Sequence, residues 1–184
     1  MKSALIDKAD TVVLFIDIQE KMMPAIYNRE KLEQRICLLA RCVKLLDLPI
    51  LVTRQYPKGL GDTIPALVEA LGVHDNTDKM AFSCFRDDNG FKDKLIGMDK
   101  KNVIVSGVEA HICVQQTVLD LLSFGINTFF LADCCGSRSE TDRVYAEQRM
   151  ARAGAVITTM EAILFEIMGS ADHPARKAVQ ALIK

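Results

Sequence analysis

Short apolar runs alternate with helix-like repeats along the whole chain. The runs are rich in β-branched and aromatic residues and occupy residues 11–17, 50–53, 103–105, 126–131 and 156–158. Because they are continuous rather than alternating, they predict strands that are buried on both faces of a sheet. The segment 77–85 is ambiguous and is compatible with one further short strand that ends in a loop.

The segments between these runs carry apolar residues at helical spacing. Helices are predicted over residues 29–46, 63–71, 88–96, 112–124 and 139–153, with two more towards the end of the chain. Residues 55–62, rich in Pro and Gly, are predicted to form a loop. The residues predicted to cap helices are Asn28, Thr63, Asp88, Ser139, Thr159 and Asp172.

Strands and helices therefore alternate about six times, which predicts an α/β fold. We expect a three-layer αβα sandwich of Rossmann-like type, with a mainly parallel sheet of about six strands. No linker or low-complexity segment interrupts the pattern, so residues 1–184 are expected to form a single domain.

Composition narrows the classes of partner. The formal net charge of −1 and the lack of a basic stripe argue against a dedicated nucleic-acid binder. The apolar runs are far shorter than a membrane span, and the first ten residues lack the apolar core of a signal peptide. We therefore expect a cytoplasmic protein, with no membrane partner and with its six cysteines reduced.

Three polar residues follow predicted strands, where ligands of parallel α/β sheets bind. Asp17 ends the first strand, Lys79 lies in the ambiguous segment, and Cys113 follows the strand at 103–105 and the turn-forming Gly107. A thiol near a helix N-terminus is expected to ionise readily. Acid, cation and thiol together would supply a general acid/base, a charge stabiliser and a nucleophile.

Each residue also has an ordinary interpretation when taken alone. Asp17 could be a turn residue, Cys113 a buried core cysteine and Lys79 a solvated surface side chain. His111, two residues before the thiol, is a poor candidate for its base, because neighbours in a turn point in different directions.

The segments around these residues resemble the isochorismatase-like cysteine hydrolase family over nearly the whole chain. The resemblance is carried by Phe15-Ile16-Asp17-Ile18-Gln19, by the Lys79 segment running into Phe82-Ser83, by the block from Gly107 to Thr117 and by the stretch from Leu131 to Ser139. It is greatest for the small, single-domain, uncharacterised hydrolases of that family.

The resemblance implies a catalytic triad of Asp17, Lys79 and Cys113. The cysteine would attack a carbonyl or amide carbon, Asp17 would move the proton, and Lys79 would pair with Asp17 and favour the thiolate. The resemblance also implies a cis peptide before Glu109 and an oxyanion hole built from the backbone N–H groups of Glu109 and Cys113. By looser correspondence with the family, Gln19, Met22, Phe85 and Ile112 are expected to contact the substrate.

Two departures from the family pattern limit the expected chemistry. The loop after the second strand contains no His, whereas nicotinamidases of the family bind a divalent metal there, so no metal is expected. The three histidines, His74, His111 and His173, lie far apart in the sequence. Members that cleave isochorismate lack the cysteine that this chain has at position 113. No glycine-rich dinucleotide or phosphate motif follows the first strand, so no cofactor is expected.

The sequence thus predicts a metal-independent cysteine hydrolase that acts on a small amide or related C–N substrate through a thioester-type intermediate. Two alternatives stay open: a non-catalytic binding or scaffolding protein with an inherited triad, and a thiol sensor in which Cys134 or Cys135 resolves Cys113. The expected partners are a small-molecule substrate and further copies of the chain, as a dimer, tetramer or larger homo-oligomer; no nucleic acid is expected.

Overall fold

A computed structural model describes residues 5–72 and 74–184. In these residues, six strands form one parallel sheet in the order β3-β2-β1-β4-β5-β6. The strands are β1 (Thr11–Ile16), β2 (Ile50–Gln55), β3 (Asn76–Lys79), β4 (Asn102–Val108), β5 (Asn127–Gly136) and β6 (Val156–Thr158). The strand order reverses between β1 and β4, which places the expected ligand crevice beyond the carboxyl ends of these two strands. The predicted parallel α/β fold is confirmed.

Helices cover both faces of the sheet, as its buried strands require. The helices are α1 (Arg29–Leu45), α2 (Pro57–Leu60), α3 (Pro65–Leu71), α4 (Phe91–Gly97), α5 (Gln115–Ser123), α6 (Glu140–Arg152), α7 (Met160–Met168) and α8 (Arg176–Ile183). Helices α1, α3, α7 and α8 pack on the face that carries Val13 and Phe15. Helices α4, α5 and α6 pack on the face that carries Val12, Leu14 and Ile16. Successive side chains of β1 point to opposite faces of the sheet and therefore belong alternately to the two cores.

Three predicted helix caps are wrong. The helices predicted to begin at Thr63, Asp88 and Asp172 are preceded instead by Ile64, Gly90 and Ala175. Pro65 explains the first case, because proline is well suited to the first position of a helix and pushes the preceding residue into an extended conformation. The segment 55–62, predicted as a loop, contains the short helix α2.

The chain between β4 and α5 departs from regular geometry. Strand β4 continues through Gly107, whose φ is +141°. The Val108–Glu109 peptide is cis, and residues Ala110–Val114 form a π-helical turn that leads into α5. The predicted helix at 112–124 therefore begins as this turn, and the turn carries Cys113.

No helix in the described part of the chain is long and apolar enough to cross a membrane.

Candidate active site

Asp17 lies at the point where the strand order reverses, directly after β1. Its φ of +53° belongs to the left-handed region, which Asp tolerates better than most residues and which ends the strand. Its backbone N–H donates to Thr53 O at 3.1 Å, and Thr53 Oγ1 donates to Asp17 Oδ1 at 2.8 Å. The carboxylate is therefore held by β2 and is completely buried.

Lys79 is the last residue of β3, and its side chain reaches Asp17, which follows β1. Its ammonium lies 2.6 Å from Asp17 Oδ2, and neither side chain is exposed. The same ammonium donates to Gln55 Oε1 at 2.7 Å and to Phe82 O at 2.9 Å, with Ala81 O at 3.3 Å. An ammonium has three protons to donate. These four acceptors therefore use the full donor capacity of Lys79 and fix it in place.

Cys113 lies in the π-helical turn, and only 3% of its surface is exposed. Its Sγ lies 3.9 Å from Gln55 Oε1. Thr117 Oγ1 donates to Cys113 O at 2.7 Å and accepts from Cys84 N at 3.1 Å. Thr117 thus ties the thiol-bearing turn to the segment that follows Lys79.

The three side chains shift one another's proton affinities. Burial raises the pKa of Asp17 above its usual 3.8, although Lys79 opposes the shift. Burial is the largest single influence on the pKa of Lys79 and lowers it, but the charge and hydrogen bond of Asp17, together with Cys84 and Cys113, raise the pKa above 10.5. Burial and the nearby Asp17 carboxylate raise the pKa of Cys113 far above that of an ordinary thiol. A resting state with an ionised Asp17–Lys79 pair and a neutral thiol follows.

This charge arrangement corrects one expectation from the sequence. The position of Cys113 near a helix start suggested an easily formed thiolate. In the structure the thiol is buried beside a carboxylate, and both effects favour the protonated form.

The thiol opens into a cavity of about 290 Å³. Its wall is mostly apolar, and the residues that line it are Lys21, Met22, Ala25, Gln55, Leu60, Phe82, Glu109, Ile112, Cys113 and Arg138. Such a volume lies at the lower end of the range of small-molecule binding pockets. A larger hollow of about 630 Å³ lies along the β3 edge, but neither Asp17 nor Cys113 lines it.

The four residues expected to contact substrate divide into two pairs. Met22 and Ile112 line the cavity. Gln19 and Phe85 are not among its lining residues. Gln19 is fully buried against the backbone of Gln55 and Gly61. Phe85 packs on Phe91 and Phe124, with ring centroids 6.0 Å and 5.1 Å away.

Sequence reasoning missed Gln55, Phe82 and Arg138. Gln55 contacts both Lys79 and the thiol, but it lies in a segment that was predicted only as a loop. Arg138 Nε donates to Glu109 Oε2 at 2.8 Å at the cavity mouth. The sequence pointed to Arg138 only through its place, next to Ser137, in the stretch from Leu131 to Ser139 that resembles the family. His111 Nδ1 lies 3.0 Å from Ser137 Oγ, so this ring nitrogen is engaged away from the thiol.

The six cysteines, all in the described residues, are free thiols and are buried. Cys134 belongs to the core on one face of the sheet and Cys135 to the core on the other. Of the two neighbours, only Cys135 shares its core with Cys113.

Comparison with known proteins gives the family. The isochorismatase domain profile matches residues 11–162. Isochorismatase domain-containing protein 1 of Salmo salar is 37% identical over 177 residues, which are 96% of this chain but 62% of the salmon protein. Isochorismatase domain-containing protein 2 of Danio rerio is 36% identical over 174 residues, or 94% of this chain and 86% of that protein.

Two solved structures share the fold. The MAR1 ribonuclease of Caenorhabditis elegans superposes with a TM-score of 0.90 at 39% identity, over 98% of this chain and 92% of that one. YcaC of Escherichia coli, described as an octameric hydrolase of unknown specificity, superposes with a TM-score of 0.89 at 22% identity, over 99% and 92%. The match to the domain profile and the shared parallel sheet show that the chain belongs to the isochorismatase family and has its hydrolase fold.

Proposed function

We propose that this protein is a metal-independent cysteine hydrolase that cleaves a small amide or a related C–N bond. Cys113 is the nucleophile, Asp17 the general base and then acid, and Lys79 the group that keeps Asp17 ionised. The observation that carries this proposal is the fully buried Asp17–Lys79 pair, with Nζ and Oδ2 2.6 Å apart, beside a thiol that opens into a small cavity. Burying both charges is costly, and such groups concentrate at functional sites.

In the first half of the reaction, Sγ forms a bond to the substrate carbonyl carbon. The thiol proton moves to Asp17, and the carbonyl π electrons move onto oxygen. A carboxylate with a raised pKa is a better proton acceptor than an ordinary one, which suits Asp17 to this step. Collapse of the tetrahedral intermediate breaks the C–N bond, Asp17 returns the proton to the departing amine, and a thioester remains on Cys113.

In the second half, water attacks the thioester carbonyl and gives a proton to Asp17. The C–S bond then breaks, and the sulfur leaves as the proton returns to it. The sum is amide plus water giving acid plus amine. The negative oxygen formed in each half needs donors other than Lys79, whose protons are used by Asp17, Gln55 and Phe82. We assign that role to the backbone N–H groups of Glu109 and Cys113.

The metal-free part of the proposal rests on the residues around the site. Among the described residues, no three His, Cys, Asp or Glu side chains lie close enough together to hold a metal ion. A hydrolase that uses the thiol would keep its activity in EDTA, and this distinguishes it from one that needs a metal.

The test is a screen of small primary and secondary amides for release of ammonia or amine, with wild-type protein and two variants. Cys113→Ser should lose turnover by about 10³-fold or more while keeping its circular dichroism spectrum. Cys37→Ser is the matched control, because Cys37 lies on α1 and away from the cavity. Full activity of Cys113→Ser would show that the triad is misassigned.

Two other outcomes point to other functions. The relative from Caenorhabditis elegans is named a ribonuclease, so the same variants should also be assayed on RNA. Cleavage of RNA that survives Cys113→Ser would place that activity outside the triad. Saturable binding of small amides without turnover would favour a binding protein with an inherited triad.

We also propose that the protein is a cytoplasmic homo-oligomer. Sedimentation equilibrium of the purified protein would give the number of subunits, and a concentration-independent monomer would contradict the proposed assembly.

A further inference from the structure

Gln55 has a carboxamide whose orientation is fixed by its neighbours. Its Nε2 donates to Met80 O at 2.7 Å, and its Oε1 accepts from Lys79 Nζ at 2.7 Å. A carbonyl cannot donate and an ammonium cannot accept. Turning the carboxamide over would therefore replace two hydrogen bonds by two repulsive contacts.

The backbone of Gln55 is fixed as well. The Gln19 side chain accepts from Gln55 N at 2.7 Å and donates to Gln55 O at 3.0 Å and to Gly61 O at 2.7 Å. Strand β1 has already ended at Asp17, so the Gln19 carboxamide takes the place of a neighbouring strand residue. Gln19, expected from the sequence to contact substrate, instead holds the residue that reaches the cavity.

The oxygen of this carboxamide faces the reacting atoms. Gln55 Oε1 lies 3.9 Å from Cys113 Sγ, and Gln55 lines the cavity. A carboxamide oxygen has two lone pairs, of which Lys79 uses one. The contact with the thiol is long, so the second lone pair can accept a stronger hydrogen bond from a ligand. A leaving group on the carbon that Sγ attacks comes within reach of it.

We propose that Gln55 is a specificity-determining residue, whose oxygen accepts an N–H from an amide group one or two bonds from the carbon that Sγ attacks, and so selects primary and secondary amides over esters and ketones. This rests on the proposed cysteine hydrolase. An ester oxygen in the same place would direct its lone pairs against Oε1, so a repulsive contact would replace the hydrogen bond that an N–H makes. Sites built to hydrogen-bond a substrate N–H reject analogues that lack it.

The proposal can be tested without the natural substrate by two alkylating reagents. Iodoacetamide and iodoacetone differ only in NH₂ against CH₃ and have nearly the same shape. In both reactions Sγ bonds to the CH₂ carbon and iodide leaves. The rate ratio at Cys113, read by peptide mass spectrometry, is divided by the same ratio for glutathione. Both reagents attack the same thiolate, so changes in the pKa of Cys113 cancel.

The wild-type protein should prefer iodoacetamide by about tenfold, the factor that one ordinary hydrogen bond contributes. Gln55→Met should bring the normalised ratio close to one, and so should Gln55→Asn, which withdraws the oxygen by one methylene. Gln55→Glu loses the hydrogen bond to Met80 O but keeps an acceptor that Lys79 can hold at the same reach, so a folded Gln55→Glu protein should retain the preference. Circular dichroism identifies any variant that fails to fold.

A wild-type ratio near one overturns the proposal whatever the variants do, and so does a preference that persists in a folded Gln55→Met protein. Failure of the hydrolase proposal has a different signature. If the pH dependence of Cys113 alkylation is the same in Asp17→Asn as in wild type, the triad itself is misassigned. If it shifts while the ratio stays near one, only the role of Gln55 is wrong.

Discussion

Lys79 Nζ and Asp17 Oδ2 are 2.6 Å apart, and neither side chain has any exposed surface. An isolated buried charge is very unfavourable, and pairing returns much of that cost only when the remaining donors and acceptors are satisfied. Here Thr53 supplies Asp17 with a hydrogen bond, while Gln55 and Phe82 complete the shell of Lys79. The two residues come from β1 and β3, which are separated by β2, so the pair also ties the first half of the sheet together.

Removing one partner of this pair should destabilise the protein strongly. Lys79→Met leaves a buried carboxylate without a counter-charge, and we expect a loss of about 3–5 kcal/mol in the free energy of unfolding at pH 7. Asp17→Asn/Lys79→Met, which removes both charges, should lose less than the sum of the two single variants. Urea denaturation of the three proteins measures this coupling.

The surface pair Lys101–Asp10 provides the control for the comparison of the single and double variants of Asp17 and Lys79. Its atoms are 2.7 Å apart, close to the buried distance, but 67% of the Lys101 side chain is exposed. Lys101→Met should therefore change stability far less than Lys79→Met. Equal effects at the two sites would show that burial of the Asp17–Lys79 pair is not what matters.

The pH dependence of stability should show the ionisation of Lys79. Burial lowers its pKa in the folded protein, but Asp17, Cys84 and Cys113 together raise the pKa above 10.5. A group with a raised pKa contributes stability that is fully present below its ordinary pKa and is lost as the pH rises through the folded value. The free energy of unfolding should therefore fall above pH 10.5 in wild type and fall less in Asp17→Asn/Lys79→Met. Urea denaturation between pH 9 and 12 measures the difference.

The reactivity of Cys113 should respond in opposite directions to loss of the two charges. The Asp17 carboxylate raises the pKa of the thiol and Lys79 lowers it. Asp17→Asn should therefore alkylate faster than wild type at pH 8, although it is expected to lose turnover. Lys79→Met should alkylate more slowly. Peptide mass spectrometry after a timed iodoacetamide pulse gives both rates.

Two cysteines on α1, Cys37 and Cys42, serve as internal controls in this experiment. Cys37 and Cys42 lie on α1, outside the cavity, and burial raises the pKa of Cys42 to about 11. Their rates should not differ between the variants. A fall in the Cys113 rate in Asp17→Asn would show that loss of Asp17 as the proton acceptor outweighs the removal of its charge.

The fold and the importance of Asp17 and Cys113 as strand-end residues could be predicted from the sequence because each has a local signal. Continuous apolar runs such as Thr11–Ile16 mark buried strands, and Asp17 and Cys113 each follow a strand whose end the pattern reveals. Lys79 closes a strand with little apolar character, Asn76–Lys79, so its local signal is weak and the family resemblance adds most of the support for its role.

The rest of the site depends on long-range contacts that no local pattern encodes. Gln19 was expected at the substrate because it lies two residues after Asp17, but the turn at Asp17 redirects it to the backbone of Gln55. Phe85 is apolar and close to Lys79 in sequence, yet the chain packs it against Phe124. The raised pKa of Cys113 depends on its burial beside Asp17, which is a property of the folded chain alone.

The last prediction concerns Gly107, which brings the ends of β1 and β4 together. A Cβ at this position would lie 2.2 Å from Ile16 O, and the φ of +141° is one that L side chains rarely adopt. The clash is with backbone atoms of Ile16 and the strain lies in the backbone of residue 107, so no movement of a side chain can relieve either. We expect Gly107→Ala to cost about 3 kcal/mol or more in the free energy of unfolding.

Gly97, the last residue of α4, is the matched control. A Cβ there meets no atom within 4 Å, and alanine favours a helix by up to about 1 kcal/mol over glycine. Gly97→Ala should therefore leave stability unchanged or slightly higher. In any Gly107→Ala protein that still folds, displacement of Ile16 would also move Asp17 away from Cys113, and the alkylation profile of Cys113 should shift towards that of Asp17→Asn. An unshifted profile in a folded Gly107→Ala protein would show that the close approach of β1 and β4 does not set the geometry of the triad.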